Sequence, residues 1–125
     1  MLAIRRRLCL LVALMASPAA ALRKVLVTGA NKGIGKQICA RILADVADSF
    51  VYLGARDAGR GAAAVADILA AHPEAEGRLE LLELDTESDQ SVKAAAEKVD
   101  SLWGLCNNAG VGFGRSIADT LAPNY

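Results

Sequence analysis

From residue 22 onward, short apolar runs alternate with stretches in which apolar residues recur every third or fourth position. Val25-Leu26-Val27 is β-branched at two of three positions and stops at Thr28-Gly29, which predicts a short buried strand. Ile34, Ile38, Ile42 and Val46 then repeat at four-residue spacing, with Cys39 and Leu43 beside them and Lys36, Arg41 and Asp45 off the stripe. That pattern predicts an amphipathic helix. Phe50 to Leu53 reads as a second strand closed by Gly54. Asp57 is placed to cap a second helix with Ala62, Val65, Ala66 and Leu69 on its apolar side, ending near His72-Pro73. Leu79 to Leu84 predicts a third strand, ending at Asp85. Thr86 or Ser88 then caps a third helix carrying Val92, Ala95, Ala96 and Val99, and Leu102 to Cys106 predicts a fourth strand running into Asn107-Asn108-Ala109-Gly110.

Strand and helix in strict alternation build a parallel sheet, because each crossover helix returns the chain to the same end of the next strand. The expected fold class is therefore α/β, a Rossmann-type sheet with helices on both faces. About four strands and three helices are present, half of a doubly wound fold with spatial strand order 3-2-1-4.

The segment from Thr28 to Gly35, Thr-Gly-Ala-Asn-Lys-Gly-Ile-Gly, falls where the first strand hands over to the first helix. Glycines permit a tight turn and a close backbone approach, and the helix start then presents free N–H groups and the positive end of its dipole to an anion. Such a turn suits a pyrophosphate. A Walker loop is excluded by spacing: counted from Gly29, Ile34 falls at the second glycine position and Gln37 follows Lys36. The G-x-G-x-x-G spacing fails as well. What stands here is T-G-x-x-x-G-x-G.

With that turn, and with the N-N-A-G element at Asn107 to Gly110, the chain resembles the short-chain dehydrogenase/reductase family. The resemblance implies a nicotinamide dinucleotide site built by Thr28, Gly29, Asn31, Lys32, Gly33, Ile34 and Gly35 at the turn. It further implies that Asn108 ties neighbouring strands together, that Ala109 and Gly110 lie beside the adenosine ribose, and that Asp85, with the Thr86 backbone, meets the adenine. At the end of the second strand an acidic residue would bind the ribose 2′-hydroxyl of NAD. Ala55 and Arg56 stand there instead. A guanidinium matches a phosphate bidentately, and Lys32 adds a second cation, so the cofactor expected is NADP(H). Asp57, beside Arg56, is read as the helix cap.

Composition adds limits. Hydrophobic residues make up 54% of the 125, enough for a core, and aromatics only 4%, which favours helices on a sheet over an aromatic-rich sandwich. The 14 basic and 14 acidic residues balance, and setting aside Arg5, Arg6 and Arg7 leaves a net of −3, so no nucleic-acid footprint is expected. Those arginines precede an unbroken apolar run from Leu8 to Met15 and a small-residue stretch, Ser17 to Ala21, containing an Ala19-x-Ala21 pattern. Residues 1–21 thus read as a secretory signal peptide, or, using residues 8–22, as a membrane anchor. The location expected is the secretory pathway or endoplasmic reticulum, with membrane anchoring or organelle targeting as the alternatives. Residues 22–125 form the expected NADP-binding half-domain. Cys39 and Cys106 sit among apolar neighbours and read as core thiols. With His72 as the only histidine, neither a Ser-His-Asp triad nor a His-based zinc site can be assembled.

The family resemblance also implies an Asn, a Ser and a Tyr-x-x-x-Lys pair downstream of N-N-A-G, the Tyr acting as proton donor with its pKa lowered by the Lys. Tyr125 has no following Lys and comes too soon after Gly110, and Ser116 and Asn124 fail on position. No catalytic or metal residue is assigned. The sequence is therefore expected to be the front half of an NADPH-dependent oxidoreductase acting on a small carbonyl or alcohol. Val51 to Asp57 and Ala30 to Gly35 resemble carbonyl reductases, and Leu102-Trp103-Gly104-Leu105 resembles retinol and steroid dehydrogenases. The alternative is a non-catalytic NADPH-binding or interaction module.

Overall fold

Every second residue of the first two strands points to the same side of the sheet, and both sides are apolar, so both require cover. The computed structural model describes residues 22–110. The proposed signal or anchor, Ser116, Asn124 and Tyr125 lie outside the described residues. Strand β1 (Arg23–Val27) leads into helix α1 (Gly33–Asp45), β2 (Ser49–Ala55), α2 (Ala58–Ala71), a 3-10 turn (Pro73–Ala75), β3 (Leu79–Glu83), α3 (Asp89–Lys98) and β4 (Gly104–Cys106). The four strands are parallel and lie in the order β3-β2-β1-β4.

Val25, Val27, Val51, Leu53 and Ala55 face α1 and α2, where Cys39, Leu43, Ala64 and Ile68 close a core. Leu26, Tyr52, Leu82 and Leu84 point to the opposite face and meet Ala95 of α3. Helices therefore cover both faces, two on one and one on the other.

The expected helix faces are corrected by about one residue. In α1 the buried line is Gly35, Cys39 and Leu43, with Ile38 and Ile42 half-buried; Ile34, expected on the stripe, is 75% exposed. In α2 the buried line is Gly61, Ala64 and Ile68, while Ala62 and Ala66 are exposed. Close packing is the reason: a Cβ on Gly61 would press on the Leu81 side chain and lie 3.1 Å from Ala55 Cβ, so glycine lets α2 lie close against the sheet. In α3 only Ala95 is buried, and Val92 and Ala96 face outward. Gly54 does not close β2. It pairs with Leu82 of β3 inside the strand, which runs on to Ala55. A side chain there would press against Val27 O, 2.9 Å from an added Cβ.

Candidate functional site

The C-terminal ends of the parallel strands gather the chemistry-bearing residues, as expected where crossover loops leave an open sheet. Beyond β1, the Thr28 hydroxyl oxygen accepts from the backbone N–H groups of Asn108 (3.0 Å) and Ala109 (2.9 Å). The Asn108 amide Nδ2 answers by donating to the carbonyls of Thr28 and Gly29, both at 3.1 Å. These bonds cross between β1 and β4 and lock the glycine turn to the N-N-A-G element.

Two glycines make that lock possible. Gly29 has φ +61°, and a Cβ there would stand 2.8 Å from Ala109 Cα; a Cβ on Gly35 would stand 2.5 Å from Asn108 Nδ2 and 2.7 Å from Gly29 O. Gly33, with φ +58°, is different: a Cβ would meet nothing within 4 Å, so its positive φ and not crowding calls for glycine.

The start of α1 has a property the other helices lack. Asp57 caps α2 by accepting from the Arg60 N–H at 2.9 Å, and Ser88 caps α3 by accepting from the Ser91 N–H at 3.2 Å. At α1 the cap position is Lys32, whose side chain caps nothing, and the first turn carries no acidic residue. Among the described residues, the N–H groups at the start of α1 thus have no side-chain cap, and the positive dipole end of the helix is not met by an acidic residue of its first turn.

That helix start forms one wall of a cleft of about 620 Å³. The cleft brings together Gly29, Asn31, Lys32, Gly33, Ile34, Arg56, Asp85, Thr86, Asn108, Ala109 and Gly110, contributed by the ends of all four strands. Thr28 and Gly35 stand behind it, holding its walls. Ile34 reaches the cleft instead of the core. Lys32 and Arg56 form no ion pair among the described residues. Asp57, sequence neighbour of Arg56, is engaged as the α2 cap, so two free cations face the cleft. Asp85 is partly committed locally: its Oδ1 accepts from the Glu87 N–H at 3.0 Å, while its own N–H donates to Ser91 Oγ at 2.8 Å. Leu84 and Glu87 also line the cleft and were not anticipated; their adjacency to Asp85 and Thr86 was the available signal.

The model of the short chain dehydrogenase family matches residues 23–124. The chain belongs to that family. This short-chain dehydrogenase chain is 40% identical over 104 residues to a carbonyl reductase (NADPH) 1 of Bos taurus, covering 76% of this chain and 33% of the relative. Among solved structures it is similar to the menthone neomenthol reductase from Mentha piperita, with 35% identity and a TM-score of 0.66 over 72% of this chain and 32% of that one. A metagenomic short-chain oxidoreductase in complex with NADP is 31% identical, with a TM-score of 0.61 over 74% of this chain and 42% of that one. The chain spans between about a fifth and a third of the length of such curated relatives, from 21% to 33%.

Among the described residues, the only thiols are Cys39, buried, and Cys106, half-buried, neither in a disulfide. Burial pushes the Cys39 thiol up to about 12, with the neighbouring Cys106 adding to the effect. It is a protonated core group, remote in character from a nucleophile.

Proposed function

We propose that this chain forms the adenosine-pyrophosphate part of an NADP(H) site in a carbonyl-reducing or alcohol-oxidising short-chain dehydrogenase. The observation that carries the reading is the uncapped α1 N-terminus beside two unpaired cations, Lys32 and Arg56. The helix start would receive the pyrophosphate; Arg56 and Lys32 would receive the 2′-phosphate at the far end of the ribose. Asp85 and the Thr86 backbone would meet the adenine edge, and Ala109 and Gly110 the adenosine ribose. The cofactor supplies or accepts hydride. The residues of this chain bind and orient its adenosine end, and none of them is assigned a proton-transfer role. The NADPH-named bovine relative and the NADP-bound similar structure support the choice of phosphorylated cofactor. Carbonyl reduction as the reaction type rests on the bovine relative and on the carbonyl reductase-like Val51 to Asp57 run.

Exchanging Arg56→Asp replaces a phosphate partner by a repelling carboxylate. A charge-assisted hydrogen bond is worth about 1.5 to 3 kcal/mol net, so affinity for NADPH is expected to fall about 10-fold to 150-fold while NADH binding is retained or improved. Titration of both cofactors by fluorescence measures this. Unchanged NADPH affinity in the folded variant contradicts the assignment.

A further inference from the structure

Asp85 stands at the rim of the cleft where the chain leaves the sheet, just past the Leu84 N–H that donates to Ala55 O at 2.9 Å. A residue beyond the sheet owes its position to local contacts. The carbonyl of Asp85 accepts from the Ser88 N–H at 3.1 Å, closing a four-residue turn, and its Oδ1 accepts from the Glu87 N–H inside that turn at 3.0 Å. The remaining contact comes from a side chain outside the turn: the Asp85 N–H donates to Ser91 Oγ at 2.8 Å.

The start of α3 places Ser91 for that bond. Its own N–H donates to Ser88 Oγ at 3.2 Å, and its hydroxyl turns back to residue 85. Ser91 is half-buried and does not line the cleft. Among the described residues, Asp85 Oδ2 accepts no hydrogen bond and the Thr86 N–H donates none. A held acceptor next to a held donor complements a purine with an exocyclic amine beside a bare ring nitrogen, as adenine has at N6 and N1. Hypoxanthine presents a carbonyl and an N–H at those positions and mismatches both. On the reading of the cleft as the adenosine end of an NADP(H) site, we propose that Ser91 is a positioning residue for base selection: by holding the Asp85 backbone it makes the cleft choose adenine over a 6-oxopurine.

The hydroxyl of Ser91 is separable from the fold of α3. The helix cap uses Ser88 Oγ and the Ser91 backbone, and the helix packs on the sheet through Ala95, so neither needs Ser91 Oγ. Removing that oxygen takes the acceptor from a half-buried N–H. The turn is then free to re-aim the carboxylate or to admit water, and a preorganised contact becomes one that has to be ordered on binding. Lys32 and Arg56 lie after other strands, so recognition of the 2′-phosphate is expected to be untouched.

Calorimetric titration of the full chain with adenosine 2′,5′-bisphosphate and with inosine 2′,5′-bisphosphate reads the choice of base directly. The unaltered chain is expected to prefer the adenosine ligand about 10-fold or more, the worth of one hydrogen bond to a charged group. In Ser91→Ala, folded by circular dichroism, that ratio should fall to about 3-fold or less as the contact loses its preorganisation. The tightening due to the 2′-phosphate, measured against adenosine 5′-monophosphate, should stay within about 2-fold, as for independent sites. Ser91→Cys, similar in size with a poor acceptor, gives the same reading where the alanine variant does not fold. In an Asp85→Ala background Ser91→Ala should leave the ratio as it is, because the hydroxyl acts through Asp85; a further change there overturns the proposal. So does a ratio that survives in Ser91→Ala, even with both affinities lowered, since that marks a structural role alone. Equal binding of both ligands by the unaltered chain overturns base selection and leaves the phosphate reading standing, whereas binding of neither overturns both.

Discussion

At Thr28 one hydroxyl oxygen serves two backbone N–H groups, those of Asn108 and Ala109, and no other side chain takes its place. Thr28→Val keeps the shape and removes the acceptor, leaving the Ala109 N–H unmet and the Asn108 N–H with only the Cys106 carbonyl, at 3.0 Å. A loss of about 1 to 3 kcal/mol is expected, seen as a lower midpoint in urea unfolding together with weaker dinucleotide binding; an unchanged midpoint contradicts the lock between the motifs. Cys39 gives a second prediction. Its pKa is raised in the fold from 9.0 to about 12, so the stability it contributes is complete below pH 9 and is lost as pH rises toward 12, where the unfolded chain releases the proton and the folded chain retains it. Unfolding midpoints measured across that range should fall less steeply in Cys39→Ala than in the parent; equal slopes contradict this. At this scale the sequence was most readable where chemistry is tied to spacing: the glycine turn, N-N-A-G, Arg56 and the Asp57 cap. It could not reveal that Asp85 spends one oxygen on the Glu87 N–H, because that bond depends on the turn's conformation and not on residue type.

Among the elements, the order of strands and helices was legible because burial on both faces of a parallel sheet leaves short apolar runs between helical periods. The faces of α1 and α2 were less so. Their inward lines include Gly35 and Gly61, which carry no hydrophobic signal yet allow the closest approach to the sheet. Arg78 was not anticipated at all. One of its guanidinium nitrogens donates to Leu43 O at 3.0 Å, and the other to Val46 O, Ser49 O and Ser49 Oγ, each at 3.2 Å, joining the end of α1 to the starts of β2 and β3. A positive group at the C-terminal end of a helix also meets the negative end of its dipole. Nothing in the sequence separates this arginine from a solvated one, since its partners are three backbone carbonyls and one hydroxyl, 29 to 35 residues away. Arg78→Leu should lower stability by about 2 to 3 kcal/mol, within the range for hydrogen bonds to charged groups. Urea unfolding measures the loss, and a change under about 0.5 kcal/mol, typical of surface sites, contradicts the clamp.

Over the whole molecule, the parallel sheet sends its strand ends in two directions with different surfaces. One end gathers the uncapped helix start, the interlocked loops, and Lys32 and Arg56, which form no ion pair among the described residues; the other exposes Leu102 and Trp103. The strand order 3-2-1-4 and the placement of the cleft followed from the alternation of elements, because crossover handedness leaves few arrangements. The exposed indole did not, since exposure of one residue depends on what packs around it. The central claim, that this chain holds the adenosine end of a phosphorylated dinucleotide, concerns the cleft alone. Calorimetric titration of the full chain with adenosine 2′,5′-bisphosphate and with adenosine 5′-monophosphate tests it without the nicotinamide. The account predicts that the 2′-phosphate tightens binding about 10-fold or more, the worth of one charge-assisted contact; equal affinities, or binding of neither ligand by the folded chain, would contradict it.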